Sequence, residues 1–245
     1  MIPKIIHYCW FGDQEMPAFQ KQCIASWYKH LPEYQLMFWN QDNFEVSAYP
    51  FAAEAYQAKK YAFVSDVCRL VVLKQYGGIY LDTDIELLSS LNTFLKHSAF
   101  IGFEESCKLQ TGLIGSAVAG RWIEEILELY KERRFILLDG RYNTTTNVDL
   151  VTDWMEQKGI VLNNEYQEVA DYFALYPSDF FCAKSHIDGS ITPTVNTVAI
   201  HHFSGSWLEK KERRARDVRQ FLRRVVGTNR YFRVKKALFF WRKEP

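Results

Sequence analysis

From Ala62 to Asp84 the hydrophobic period of this chain changes with no spacer in between. Val64, Val67, Cys68, Val71 and Val72 recur at helical spacing up to Tyr76, Gly77-Gly78 stops the helix, and Ile79-Tyr80-Leu81 begins a strand at once. A helix joined to a strand by two glycines belongs in a layered α/β architecture. The first forty residues agree. Ile2-Pro-Lys-Ile-Ile-His-Tyr-Cys-Trp10 reads as a buried strand closing at Phe11-Gly12-Asp13, Pro17 to His30 as a helix, and Gln35 to Trp39 as a second strand before a polar turn, Asn40 to Asn43. Strand, helix, strand is the start of a parallel sheet. Further on, Phe100 to Phe103 and Val198 to His201 read as strands, and Trp122 to Arg133 and Asn147 to Lys158 as helices.

At 245 residues the chain fits one large domain, or one domain with a tail, and is too short for two catalytic domains. Hydrophobic residues at 48% and charged residues at 24% exclude disordered and fibrous classes. No stretch approaches the ~20 apolar residues that span a bilayer, and the first residues lack the pattern of a secretory signal, so the expected location is the cytosol. Cys9, Cys23, Cys68, Cys107 and Cys182 are scattered without a C-x-x-C pair, the pattern of reduced, mostly buried thiols.

The formal net charge of +1 hides an asymmetry. Residues 209–245 hold fourteen Lys/Arg against four Asp/Glu, a net of +10, which leaves residues 1–208 at −9. We therefore expect a body over 1–208 and a basic tail over 209–245. Val218, Phe221, Leu222, Val225 and Val226 mark one face of a tail helix, and Tyr231, Val234, Leu238 and Trp241 continue the pattern in a second. Basic amphipathic helices suit peripheral contact with an anionic membrane. Docking of the apolar stripe on the acidic body is the alternative. The body offers no extended basic groove, so nucleic acid is not an expected partner.

Three clusters can carry chemistry. Asp82 and Asp84 sit two apart at a strand end, and in extended backbone both carboxylates point to one side, as a hard cation such as Mg²⁺ or Mn²⁺ requires. A polar turn is the bland alternative. Asp66 and Arg69 lie one turn apart on a helix that is otherwise apolar. Either they form a surface ion pair, or Asp66 accepts sugar hydroxyls while Arg69 faces an anionic ligand. His201-His202-Phe-Ser-Gly-Ser206-Trp207 combines imidazoles, hydroxyls and an indole, which can complete a metal shell and donate to phosphate oxygens.

Taken in order, Ile-Pro-Lys-Ile-Ile-His-Tyr-Cys-Trp-Phe-Gly, Ala62-Phe-Val-Ser-Asp66-x-x-Arg69, Tyr76-Gly-Gly-Ile-Tyr-Leu-Asp-Thr-Asp84 and His-His-Phe-Ser-Gly-Ser-Trp207 resemble the D-x-D sugar transferases of glycosyltransferase family 32, over residues 2–207. That family includes capsule and lipopolysaccharide transferases and yeast mannosyltransferases. The resemblance implies a GT-A type, Rossmann-like α/β fold, a nucleotide-sugar donor with UDP-hexose favoured, Mn²⁺ or Mg²⁺, a saccharide or lipid-linked acceptor, and retention of anomeric configuration. It implies base stacking by Trp10, donor contacts from His7, Ser65, Asp66, Arg69, Tyr80 and Asp82, and β-phosphate contacts from Ser206 and Trp207. Asp66, Arg69 and Asp82 would be the catalytic set. Asp82, Asp84 and His202, preferred over His201 for its spacing to Gly205, would hold the metal. Thr111-Gly112-Leu113 departs from the family, which often has Asn before this glycine.

Two other classes compete. An aspartate phosphatase needs Thr or Val two residues after its D-x-D, where this chain has Glu86. A catalytically silent sugar- or lipid-binding module would leave the acidic cluster without a purpose.

Overall fold

A computed structural model describes residues 1–105, 107–206, 208, 210–228 and 230–233. In chain order the elements are β1 (Ile5–Cys9), α1 (Ala18–His30), β2 (Gln35–Trp39), α2 (Pro50–Gln57), α3 (Tyr61–Tyr76), β3 (Gly78–Leu81), β4 (Ile85–Leu87), β5 (Ala99–Glu105) and β6 (Lys108–Ser116). They continue with α4 (Arg121–Lys131), α5 (Asn147–Gln157), β7 (Gln167–Val169), β8 (Phe173–Tyr176), α6 (Ser178–Phe181), β9 (Ala199–His201) and α7 (Lys210–Val226).

Seven strands form one sheet in the order β2-β1-β3-β6-β5-β8-β7, and β4 pairs with β9 in a separate ribbon. β1 runs parallel to both β2 and β3, whereas β6 is antiparallel to β3 and β5. The expected α/β sheet is present, and the antiparallel β6 makes it mixed. Both faces are covered, because successive side chains along a strand point to opposite sides. Tyr80 and Ile101 pack with α2 to α5, and Ile79, Leu81 and Phe100 pack with Trp27 of α1 and with Leu31 just after it.

The two glycines between α3 and β3 act as the sequence suggests. Both adopt positive φ, +62° at Gly77 and +102° at Gly78, and a Cβ on Gly78 would lie 2.6 Å from the Ile5 carbonyl oxygen. Only glycine lets β3 come this close to β1.

His7 is part of the same joint. It has no exposed surface; its Nε2 lies 2.8 Å from the Gly77 carbonyl, and its Nδ1 accepts from the Trp39 indole at 3.1 Å. Since an indole N–H only donates, His7 is neutral with its proton on Nε2. The expected donor contact at His7 is therefore corrected: both ring nitrogens are occupied within the core, tying β1, β2 and the glycine joint together.

Burial lowers the His7 pKa to about 4, against the opposing hydrogen bond to Gly77. The unfolded chain takes up this proton near pH 6.5 and the folded one only near 4, so stability falls as pH drops between those values, by up to about 3 kcal/mol. In urea unfolding across that range, His7→Gln is expected to flatten the acid limb by about one proton. An unchanged slope would contradict this role.

Candidate active site

Asp82-Thr83-Asp84 follows β3 on the edge where β1 also ends, so Trp10, the residue after β1, lies at the same end of two parallel strands. Crevices at such strand ends are where α/β sheets hold ligands. The backbone is a turn rather than the extended segment expected, closed by the Ile85 N–H on the Asp82 carbonyl at 2.9 Å. The two carboxylates meet all the same. Asp82 and Asp84 join His201 in a cluster whose ligand atoms lie within 4.8 Å of one another.

His201, and not His202, completes the cluster, which corrects the choice made on spacing. Adjacent residues at a strand end face opposite ways. His201 turns its Nε2 to Asp84 at 3.4 Å, while His202 turns to Glu86 at 2.8 Å with its ring edge-on to Phe19. Burial alone would push the Asp84 carboxyl up, but the charge on His201 and the Ser204 N–H, 2.7 Å from Oδ2, outweigh it and hold the carboxyl well below the usual range. Burial pulls His201 the other way, and Asp84 overcomes that too, raising its pKa.

This donor set fits a divalent cation: two hard oxygens, one imidazole nitrogen, and space kept clear by Gly112. A Cβ on Gly112 would come within 2.8 Å of Asp82 Oδ2 and 3.2 Å of His201 Cε1.

Behind Asp82 stands a buried guanidinium. Arg69 donates from Nη1 to the Thr111 carbonyl at 2.9 Å and hydroxyl at 2.8 Å and from Nη2 to Asp82 Oδ1 at 3.2 Å, and its Nη2 forms an ion pair with Asp66 Oδ1 at 3.2 Å. Its plane lies over the Tyr80 ring, whose hydroxyl donates to the same Asp82 oxygen at 2.8 Å. Asp66 also accepts the Asn147 N–H, at the start of α5, at 3.1 Å. Arg69 is 5% exposed and Asp66 8%, so the surface ion pair is excluded. Both are bonded within the protein and act on Asp82 from behind.

The remaining expected contacts are spread around this centre. The Ser65 hydroxyl donates to the Tyr61 carbonyl one turn earlier. Trp10 is half-buried, with its indole donating to the Gln14 carbonyl at 2.7 Å. Ser206 is exposed in a turn, and Trp207 lies outside the described residues. Thr111, marked in the sequence only as a departure, is an anchor of Arg69. A threonine at a buried strand position carried no signal of that role.

The tail helix docks on the body, but not by its apolar stripe, as the alternative reading had it. α7 docks through Arg216, Gln220 and Arg223, which donate to backbone carbonyls at residues 203, 204, 186 and 187. At 100° per residue these three share one face, and Val218, Phe221, Leu222 and Val225 share the opposite, exposed face. The polar side docks and the apolar stripe faces out. The second tail helix falls largely outside the described residues, and among the described residues no helix is long and apolar enough to cross a membrane.

Residues 17–101, which include Asp66, Arg69, Asp82 and Asp84, match the glycosyltransferase sugar-binding region containing a DXD motif. That stretch, about a third of the chain, is similar to the sugar-binding region of DXD-containing glycosyltransferases. Inositol phosphoceramide mannosyltransferase 3 of Schizosaccharomyces pombe is 32% identical over 124 residues, covering 47% of this chain and 33% of that protein. An uncharacterised glycosyltransferase, L373, of Acanthamoeba polyphaga mimivirus is 28% identical over 162 residues, 60% of each chain. The chain thus spans between a third and three fifths of the length of these relatives. The solved PaToxG glycosyltransferase superposes with a TM-score of 0.50 at 20% identity, covering 64% of this chain and 69% of that one, in keeping with the GT-A type fold.

Proposed function

We propose that this DXD glycosyltransferase chain moves a hexose from a nucleotide-sugar to a saccharide or lipid-linked acceptor, with retention and with Mn²⁺ or Mg²⁺, in the synthesis of cell-surface glycans. The observation that carries the reading is the Asp82, Asp84 and His201 cluster, kept open by Gly112 and backed by Arg69. UDP-hexose is the favoured donor. A relative named for mannosyl transfer to inositol phosphoceramide supports a lipid-linked acceptor and makes mannose a candidate sugar.

Breaking the anomeric bond leaves negative charge on a nucleotide diphosphate and positive charge on the sugar ring. A bound divalent cation supplies positive charge against the diphosphate. Asp84 and His201 hold that position, Trp10 stacks on the base, and Ser206 and Trp207 donate to the β-phosphate. Asp82 serves both sides, as a metal ligand and as the carboxylate nearest the oxocarbenium-like ring. Arg69, Asp66 and Tyr80 fix its orientation, so that no side-chain movement is needed as charge develops. Front-face attack by the acceptor hydroxyl, whose proton passes to the departing diphosphate oxygen on the same face, then gives retention without a protein nucleophile.

The body over 1–208 performs this chemistry, and the tail over 209–245 brings it to the inner face of the cell membrane. The exposed stripe of Val218, Phe221, Leu222 and Val225 runs along a helix with a strong excess of Arg and Lys, the pattern of an interfacial anchor.

Calorimetry with UDP and GDP is expected to show binding of one nucleotide that requires Mn²⁺ and is lost in Asp84→Asn. Binding that is indifferent to metal and to Asp84 would favour a catalytically silent binding module instead. In sedimentation with vesicles containing phosphatidylglycerol, the protein is expected to bind and Phe221→Glu to lose at least about fivefold in partitioning. Equal partitioning of the two proteins would remove the tail from the membrane contact.

A further inference from the structure

The segment from His202 to Gly205, between β9 and α7, reaches the metal cluster through its backbone. Its Ser204 N–H donates to Asp84 Oδ2 at 2.7 Å and its His202 N–H to the Asp84 carbonyl at 3.1 Å. The Phe203 ring lies 4.1 Å from the His201 imidazole, centroid to centroid. The segment does not hold this shape by local preference. Phe203 sits at φ +51°, a region that a residue with a bulky side chain seldom enters, so something outside must hold it there.

Three side chains from separate parts of the fold do so. Gln20 of α1 donates to the Ser204 hydroxyl at 3.0 Å, and Lys184 donates to the His202 carbonyl at 2.7 Å. Arg216 of α7 makes the widest contact. Its Nη1 donates to the Phe203 carbonyl at 2.8 Å and its Nη2 to the Ser204 carbonyl at 3.1 Å, with Asp217 on the outer side of the same guanidinium. Gly205, at φ +60°, leaves room for the fork: a Cβ there would lie 2.3 Å from Arg216 Nη1. One planar side chain thus fixes two consecutive carbonyls, which a point charge such as lysine does not reproduce.

We propose that Arg216 is a positioning residue for the cation site, through which docking of the basic tail helix holds the Ser204 N–H on Asp84. The proposal rests on the reading of Asp82, Asp84 and His201 as that site. It carries a reciprocal consequence: what α7 docking does for cation affinity, the cation does for α7 docking. The tail is then more than an anchor. A helix whose apolar stripe faces a membrane is joined by its opposite side to the metal-binding loop.

The test uses the full chain with Mn²⁺ alone and no nucleotide. Electron paramagnetic resonance titration is expected to show Mn²⁺ affinity lowered about tenfold in Arg216→Ala and partly restored in Arg216→Lys, which returns one donor. Arg223→Ala, which removes a different anchor of α7 on the Ile187 carbonyl, should stay within about twofold of the wild type. Hydrogen exchange should show Mn²⁺ slowing the amides of residues 203–220 in the wild type and in Arg223→Ala, but not in Arg216→Ala. Equal Mn²⁺ affinity in wild type and folded Arg216→Ala or Arg216→Lys overturns this proposal alone. A similar loss in Arg223→Ala also overturns it, since α7 would then act without a specific contact. No Mn²⁺ binding by the wild type overturns the reading of the site itself and this proposal with it.

Discussion

The organisation of the site depends on one buried cation. A guanidinium taken out of water costs several kcal/mol unless carboxylates and carbonyls replace its hydration, and Arg69 gathers that replacement from three parts of the chain. Asp66 comes from its own helix, Asp82 from the end of β3, Thr111 from β6, and Tyr80 offers the face of its ring. Removing any one leaves a buried donor or charge unpaired, so each position constrains the others. The carboxylate that matters for chemistry, Asp82, is held by Arg69 and the Tyr80 hydroxyl on one oxygen, which leaves the other beside Gly112 and His201.

Charge balance gives the same answer. Among the described residues, the direct ion pairs of Asp66, Asp82 and Asp84 are with one permanent cation, Arg69, and one conditional one, His201. A site built with that excess of carboxylate over fixed cation suits a mobile divalent ion that neutralises it and then meets a diphosphate. The strand layout supplies the place: β1 and β3 run parallel, so the base-stacking candidate Trp10 and the D-x-D turn emerge at one edge. The ribbon of β4 and β9 delivers His201 from far along the chain.

Much of this layout was legible in the residues. β2 spans the range read as a second strand before the polar turn, and the helix before Gly77-Gly78 begins within one residue of its expected start. Those elements are fixed by local rules of period and punctuation. What could not be read depends on contacts between distant segments. Both histidines at 201 and 202 have the chemistry of a ligand, and only the pairing of β9 with β4 decides which one faces Asp84. His7 lies in a motif and looks functional, yet its neighbours in space, Trp39 and Gly77, turn it into a core residue. The strong tail amphipathicity was visible, but not that its arginine side would be the docked one. Hydropathy assumes that the apolar face is buried, and carbonyls presented by residues 186–187 and 203–204 reversed that.

The most direct test of this account replaces Arg69 by Lys and reads Mn²⁺ binding by paramagnetic resonance. Lysine keeps the positive charge, so the electrostatic field at the cluster changes little, but it cannot meet Thr111, Asp66 and Asp82 together. The account predicts a fold that survives, judged by circular dichroism, with Mn²⁺ affinity lowered by at least about tenfold because Asp82 is no longer held in place. Wild-type affinity in a folded Arg69→Lys protein would show that the carboxylates need no such support, and the central claim would fail.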